Sequence, residues 1–291
     1  MKKALFTLAV LLLVGLGGTA QQVQAAGGVT VPMDVFPTAR TKDLAALQNG
    51  ARIFANHCLN CHSANLMRWN RLTQIGLDEK QIRDFLIFDP TRKVGDSMQI
   101  SMQPADAKVW FGKAPPDLSV IVRARTSFDY RGTDYLFTLL RGYYRDASMP
   151  TGWNNIAYPN IGMPHVLWAQ QGPREATITR VVHVEGDKSK GDKGHYERVV
   201  SVFDASGNVS MTRTKLEGHP GESVEAKFKP LDPDLARKFD EDVADLVAFL
   251  TFMTDPSGTT RTRIGVWVLV FLLFFTAAAW WLNRTYWRDI K

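Results

Sequence analysis

Apolar residues recur along the chain with two different periods. Over residues 43–56 the positions Leu44, Leu47, Ala51 and Phe54 repeat at steps of three and four, the spacing of one helix face. Residues 77–88 carry a second helical pattern, stopped by Asp89-Pro90. Pro115-Pro116 makes 113–118 an extended loop, 118–125 reads as a short helix, and 135–142 as another that ends at Gly142. Residues 148–164, rich in Gly, Pro and Asn, read as a loop. From Ala176 the period falls to two: 177–185 and 196–203 are β-branched and alternating, and Asp204-Ala-Ser-Gly-Asn208 is a hairpin turn after the second. Gly, Lys and Asp fill the 186–194 connection. Residues 176–229 are therefore a small β excursion. Asp232-Pro233 then opens a helix to about Thr254 with the stripe Leu235, Phe239, Val243, Leu246 and Leu250, broken by Asp255-Pro-Ser-Gly258.

Two stretches lack any polar face. Met1-Lys2-Lys3 precedes an uncharged run and Val23-Gln24-Ala25-Ala26, the pattern of a secretory signal peptide over 1–26. Residues 264–282 carry no charge and at about 1.5 Å per residue match a hydrocarbon layer of ~30 Å. Arg261 and Arg263 flank one end, and Arg284, Arg288 and Lys291 the other, with Trp280, Trp281, Tyr286 and Trp287 at belt positions. The organisation expected is a signal peptide 1–26, an exported body 27–258, a transmembrane anchor 259–285 and a cytoplasmic tail 286–291.

The net charge of +6 does not point to nucleic acid. Lys2, Lys3, Arg284, Arg288 and Lys291 sit in the terminal segments against Asp289 alone, which leaves the body near +2, without a basic stripe interleaved with aromatics. Asp232, Asp234, Asp240, Glu241, Asp242 and Asp245 read as the solvated face of a helix rather than a docking surface. Two cysteines are too few for a disulfide scaffold.

Those two cysteines stand in Cys58-Leu59-Asn60-Cys61-His62, the pattern of covalent haem attachment. Two thiols three positions apart reach the two vinyl groups of one porphyrin, and the adjacent imidazole serves as an iron ligand. A redox pair would want a surrounding βαβ unit, a zinc site further cysteines, and a disulfide would leave His62 without a role. The second axial position decides between ligand binding and electron transfer. Met149 and Met163, each followed by proline, and His165, His183, His195 and His219 are all candidates on spacing, whereas His57 points away from that face.

The chain resembles the cytochrome c1 family, the membrane-anchored haem subunits of the ubiquinol–cytochrome c reductase (cytochrome bc1) complex. The matching strings are Cys58-Leu-Asn-Cys-His62, Ala114-Pro-Pro-Asp-Leu-Ser119, Ile121-Val-Arg-Ala-Arg125, Asp134-Tyr-Leu-Phe-Thr-Leu-Leu-Arg-Gly-Tyr143 and Ile161-Gly-Met163, over 35–168 and 231–287. The resemblance implies a mainly α, cytochrome c-like haem domain with a small β excursion and one C-terminal transmembrane helix. It implies one covalent haem c on Cys58 and Cys61, His62 and Met163 at the iron, Pro116 and Ile121 walling the haem, and Arg125 and Tyr135 at a propionate. Pro164-His165 stands where Ala-Pro-Pro often follows the methionine, and no second cysteine pair exists. The implied function is electron transfer from the Rieske iron–sulfur protein to a cytochrome c acceptor, with no catalysis by this chain alone. The implied setting is a dimeric complex in the bacterial inner membrane with cytochrome b, quinol chemistry on another chain and the haem domain in the periplasm.

Overall fold

The computed structural model describes residues 31–186 and 194–288. The expected signal peptide, most of the 186–194 connection and the last three residues lie outside them.

The organising contact is a helix crossing. Helix α1, Leu44–Ile53, starts where the Asp43 carboxylate accepts from the Ala45 N–H at 2.9 Å. It buries Ala46, Leu47, Gly50, Ala51 and Ile53, whereas Leu44 of the expected stripe stays exposed at its free end. Six further helices and a membrane-length one follow: α2 Glu79–Phe85, α3 Pro104–Phe111, α4 Ile121–Ala124, α5 Gly132–Arg141, α6 Trp168–Gln171, α7 Pro233–Thr254 and α8 Gly258–Tyr286. Helix α7 is capped by Asp232, and from Asp242 to Leu250 every side is buried, so it is the central rod of the domain.

Gly50 lets α1 approach α7. A Cβ there would stand 2.1 Å from the Asp245 carbonyl oxygen and 2.7 Å from Phe249 Cβ. The Asn49 amide donates to Asp242 and Asp245 at 2.9 Å each, and Arg40 reaches Asp245 at 2.9 Å. Burial raises the Asp245 pKa, against the lowering effect of Asn49 and Arg40. The acidic run thus divides. Asp242 and Asp245 face inward, Asp240 takes both arms of the Arg141 fork at 2.7 and 2.9 Å, and Asp234 pairs with Arg237 on the exposed side. Around the crossing lies the main core, with Phe36, Phe54, Trp69, Leu72, Ile82 and Phe249.

Strand content is larger than a mainly α reading allows. Strands β1 Ala64–Arg68 and β2 Ser97–Met98 pair antiparallel, as does β3 Tyr143–Arg145 with β4 Trp153–Asn155, the latter within the stretch 148–164 read as loop. Strands β5 Arg174–Val184, β6 His195–Phe203, β7 Val209–Leu216 and β8 Ser223–Pro230 form an antiparallel sheet in the order β7-β6-β5-β8. Ala176, Ile178 and Phe203 of this sheet close a second core on Tyr144 and Ile156. Helix α2 stops at Phe85, short of the expected 88, because Leu86 and Ile87 turn into the core. Helix α8 carries an apolar span Thr260–Tyr286 of 27 residues, mean hydropathy 2.1, with none of its most apolar stretch buried. Its length and composition fit membrane anchoring.

Candidate haem site

Helix α1 does not run straight into the cysteine motif. Phe54–Cys58 widens to a π turn, closed by the Leu59 N–H on the Phe54 carbonyl at 3.0 Å. Such insertions recur at functional sites because they re-aim the side chains that follow. The chain then tightens, with the Cys61 and His62 N–H groups both donating to the Cys58 carbonyl at 3.1 and 2.9 Å. Both thiols are free. Cys58 is buried, and that burial, with the neighbouring Cys61, pushes its thiol up to about 12.

His62 is fixed from 54 positions away. Its Nδ1 lies 2.7 Å from the Pro116 carbonyl oxygen. A carbonyl only accepts, so Nδ1 carries the proton and Nε2 keeps a lone pair. Burial lowers the His62 pKa, opposed by Pro116 and Asp117, and so favours the neutral, ligating form. The Pro116 segment is itself pinned to the cysteine segment. The Leu118 N–H donates to Ser63 O at 2.8 Å, the Asn65 N–H to Asp117 Oδ2 at 2.8 Å and the Leu66 N–H to Ser119 Oγ at 3.0 Å.

The same segment runs on through buried Ile121 to Arg125. That guanidinium stands 5.6 Å from the centre of the Tyr135 ring, which stacks on Tyr130 at 5.7 Å. Burial raises the Tyr135 pKa, and Arg125 opposes it. Among the described residues no carboxylate pairs with Arg125, unlike Arg131 and Arg141.

Met163 is half-buried in an irregular segment, its carbonyl accepting from the Tyr143 hydroxyl at 3.1 Å. The rival side chains are placed differently. His165 lies flat on Tyr143, ring centroids 4.5 Å apart, with Trp153 and Phe239 edge-on, and burial, then Arg174, pushes its pKa down to about 3. His183 and His219 gather around Tyr196 on the sheet, and His195 pairs with Glu197 at 3.1 Å. Met149 sits in the turn between β3 and β4. His57 faces Gln170 of α6 at 2.8 Å. Among the described residues no group of three His, Cys, Asp or Glu side chains comes together, so a zinc site has no other half. Tyr143 and the Pro116 carbonyl carry the site's order, yet neither has a chemical motif of its own. The one signal was their place in the quoted strings.

A sequence profile of the cytochrome C1 family matches residues 36–176. Cytochrome c1 of Allochromatium vinosum is 34% identical over 86% of this chain and 86% of its own length. The chain belongs to the cytochrome c1 family. The ammonia monooxygenase gamma subunit of Nitrosomonas europaea is also 34% identical, over 92% of this chain and 93% of its own. Cytochrome b/c1 of Bradyrhizobium diazoefficiens is 23% identical over 85% of this chain and 34% of its own length. Cytochrome c1 is the electron-transfer haem subunit of the bc1 complex, alongside cytochrome b, and its cofactor is haem c. The residues fit that group: two free thiols, an imidazole whose tautomer leaves Nε2 for metal, and an arginine that meets no carboxylate among the described residues.

Proposed function

We propose that this chain holds one haem c through thioethers from Cys58 and Cys61, with His62 and Met163 at the iron, and carries electrons from the Rieske iron–sulfur protein to cytochrome c. The observation that carries this reading is the His62–Pro116 hydrogen bond, which presents an oriented neutral imidazole beside two unpaired thiols. The two thiols would hold the porphyrin as thioethers, since addition of S–H across a vinyl group needs no leaving group. When bound, the haem supplies a one-electron ferric–ferrous couple, which a methionine ligand poises towards higher potential. Pro116 orients His62 and, with Ile121, walls the cofactor, while Arg125 and Tyr135 offer a cation and a hydroxyl to a propionate. The chain itself breaks no substrate bond, and quinol oxidation coupled to proton translocation belongs to the complex, on another subunit.

The body, 27–258, faces the periplasm after removal of 1–26, is held by the anchor 259–285 in the bacterial inner membrane, and leaves 286–291 in the cytoplasm. The complex is dimeric. Purification in mild detergent tests the assignment. The haem-stained chain is expected to co-migrate with a b-type cytochrome and a Rieske protein and to keep its haem through denaturing electrophoresis. Co-migration with an ammonia monooxygenase instead would favour the role named for the Nitrosomonas relative. Loss of haem on denaturation would remove the covalent assignment.

A further inference from the structure

Among the described residues, 161–164 make no backbone–backbone hydrogen bond, and the space where a Cβ on Gly162 would stand is open. Met163 therefore takes its place from side chains, and one side chain grips its segment twice. The Tyr143 hydroxyl donates to the Met163 carbonyl at 3.1 Å, while the Tyr143 ring lies against His165 with 5° between the planes. Trp153 of β4 and Phe239 of α7 close the other sides of the His165 ring at 4.8 and 6.2 Å. Tyr143 is 1% exposed and is itself held by the sheet. Arg174, the first residue of β5, donates through Nε to the Tyr143 carbonyl at 3.1 Å, and its Nη2 reaches the Tyr143 and Arg141 carbonyls. The guanidinium lies 3.7 Å from the centre of the Phe228 ring of β8.

We infer that Tyr143 is the positioning residue for Met163, and that Arg174 ties it to the four-stranded sheet, which gives the β excursion a role in setting the ligand. The inference rests on Met163 being the axial ligand proposed above. A side chain that merely fills the core would change stability when altered. One that positions a ligand changes how often the iron opens.

The test uses the full-length, haem-loaded chain in detergent. Tyr143→Phe keeps the ring and its stack and removes only the hydroxyl. It is expected to weaken the far-red methionine–iron absorption of the oxidised protein. Carbon monoxide binding to the ferrous form should speed up about fivefold, the factor corresponding to one hydrogen bond of ordinary net worth. Tyr144→Phe makes the same chemical change one residue along, where the ring meets Phe203 of the sheet, and should leave both readouts at the wild-type values. Unchanged absorption and binding in Tyr143→Phe, or equal changes in both variants, would overturn the positioning role. Arg174→Lys keeps a cation but cannot fork two carbonyls; a weakened band supports the link to the sheet, and an unchanged band refutes it. Wild-type protein with no methionine–iron band and immediate carbon monoxide binding would refute Met163 ligation itself, so the two failures are read separately.

Discussion

An imidazole next to a carbonyl has no choice of tautomer, and His62 gains its orientation from Pro116 in that way. Arg125 is the complementary case, an exposed cation that meets a ring and no carboxylate among the described residues. If a propionate is its partner, removing the charge favours the oxidised, more positive cofactor. Arg125→Gln should therefore lower the midpoint potential by roughly 20–60 mV, the scale of one charge at a partly solvated distance. A redox titration that leaves the potential unmoved would separate Arg125 from the cofactor. Asp134 sets a pH limit. Burial raises its pKa, but the Arg131 fork at 2.7 Å on each oxygen and the Phe36 N–H at 2.9 Å outweigh that, and the carboxyl ends below its ordinary range. The unfolded chain then binds the proton first as pH falls. The stability Asp134 contributes is present above about pH 4 and is lost as pH drops through its folded value. Urea unfolding between pH 3 and 7 should find Asp134→Asn less stable at neutrality and flatter in its pH dependence below about 4.

Between elements, the decisive distances are backbone to backbone. Gly50→Ala puts a methyl 2.1 Å from the Asp245 carbonyl oxygen, and neither that oxygen nor Phe249 Cβ can rotate away. The helices must part, at about 1–3 kcal/mol or more. Gly95, with nothing within 4 Å of its would-be Cβ, should accept alanine within about 0.5 kcal/mol. Thermal melts of the two variants side by side check the pair, and equal melting points would mean the α1–α7 crossing does not limit stability. The same contrast governs what could be read in advance. Helix α7 was legible because its first turns show a 3.6-residue apolar period, and β5 and β6 because their β-branched residues alternate. Strand β7 was not named, since Val209–Leu216 is an exposed, largely polar edge with no alternation to find. Strands β3 and β4 are three residues each, too short for any period, and α3 leaves Val109 and Trp110 in solvent. At the site, the cysteine–histidine motif was legible because its chemistry is local. The π turn at Phe54–Cys58, the Pro116 carbonyl and the Tyr143 grip depend on main-chain atoms brought together by folding, which no side-chain pattern encodes.

At the scale of the whole molecule, the exposed apolar surface is divided unevenly. The body gathers most of its apolar side chains into two cores and leaves scattered ones, Phe128 and the Val109-Trp110-Phe111 end of α3 among them, in solvent. Helix α8 presents Trp267, Phe271, Phe274, Phe275, Trp280 and Trp281 at 60% exposure or more, along a length no water-soluble chain would leave uncovered. Among the described residues the Arg261 fork on Asp255, at 2.9 Å and 2.6 Å, ties it to the C-terminal cap of α7. The pair is largely exposed and screened by solvent, so it ties the helix to the body only weakly. Ending the chain at Ser257 removes the apolar helix while keeping α7, its cap and the whole haem-site framework. The expected product stays haem-stained and melts near the full-length value, but moves from the membrane pellet to the soluble exported fraction. If the shortened chain still sediments with membranes after a high-salt wash, a second apolar contact exists on the body. The exposed Val109-Trp110-Phe111 end of α3 is then the first place to look for it.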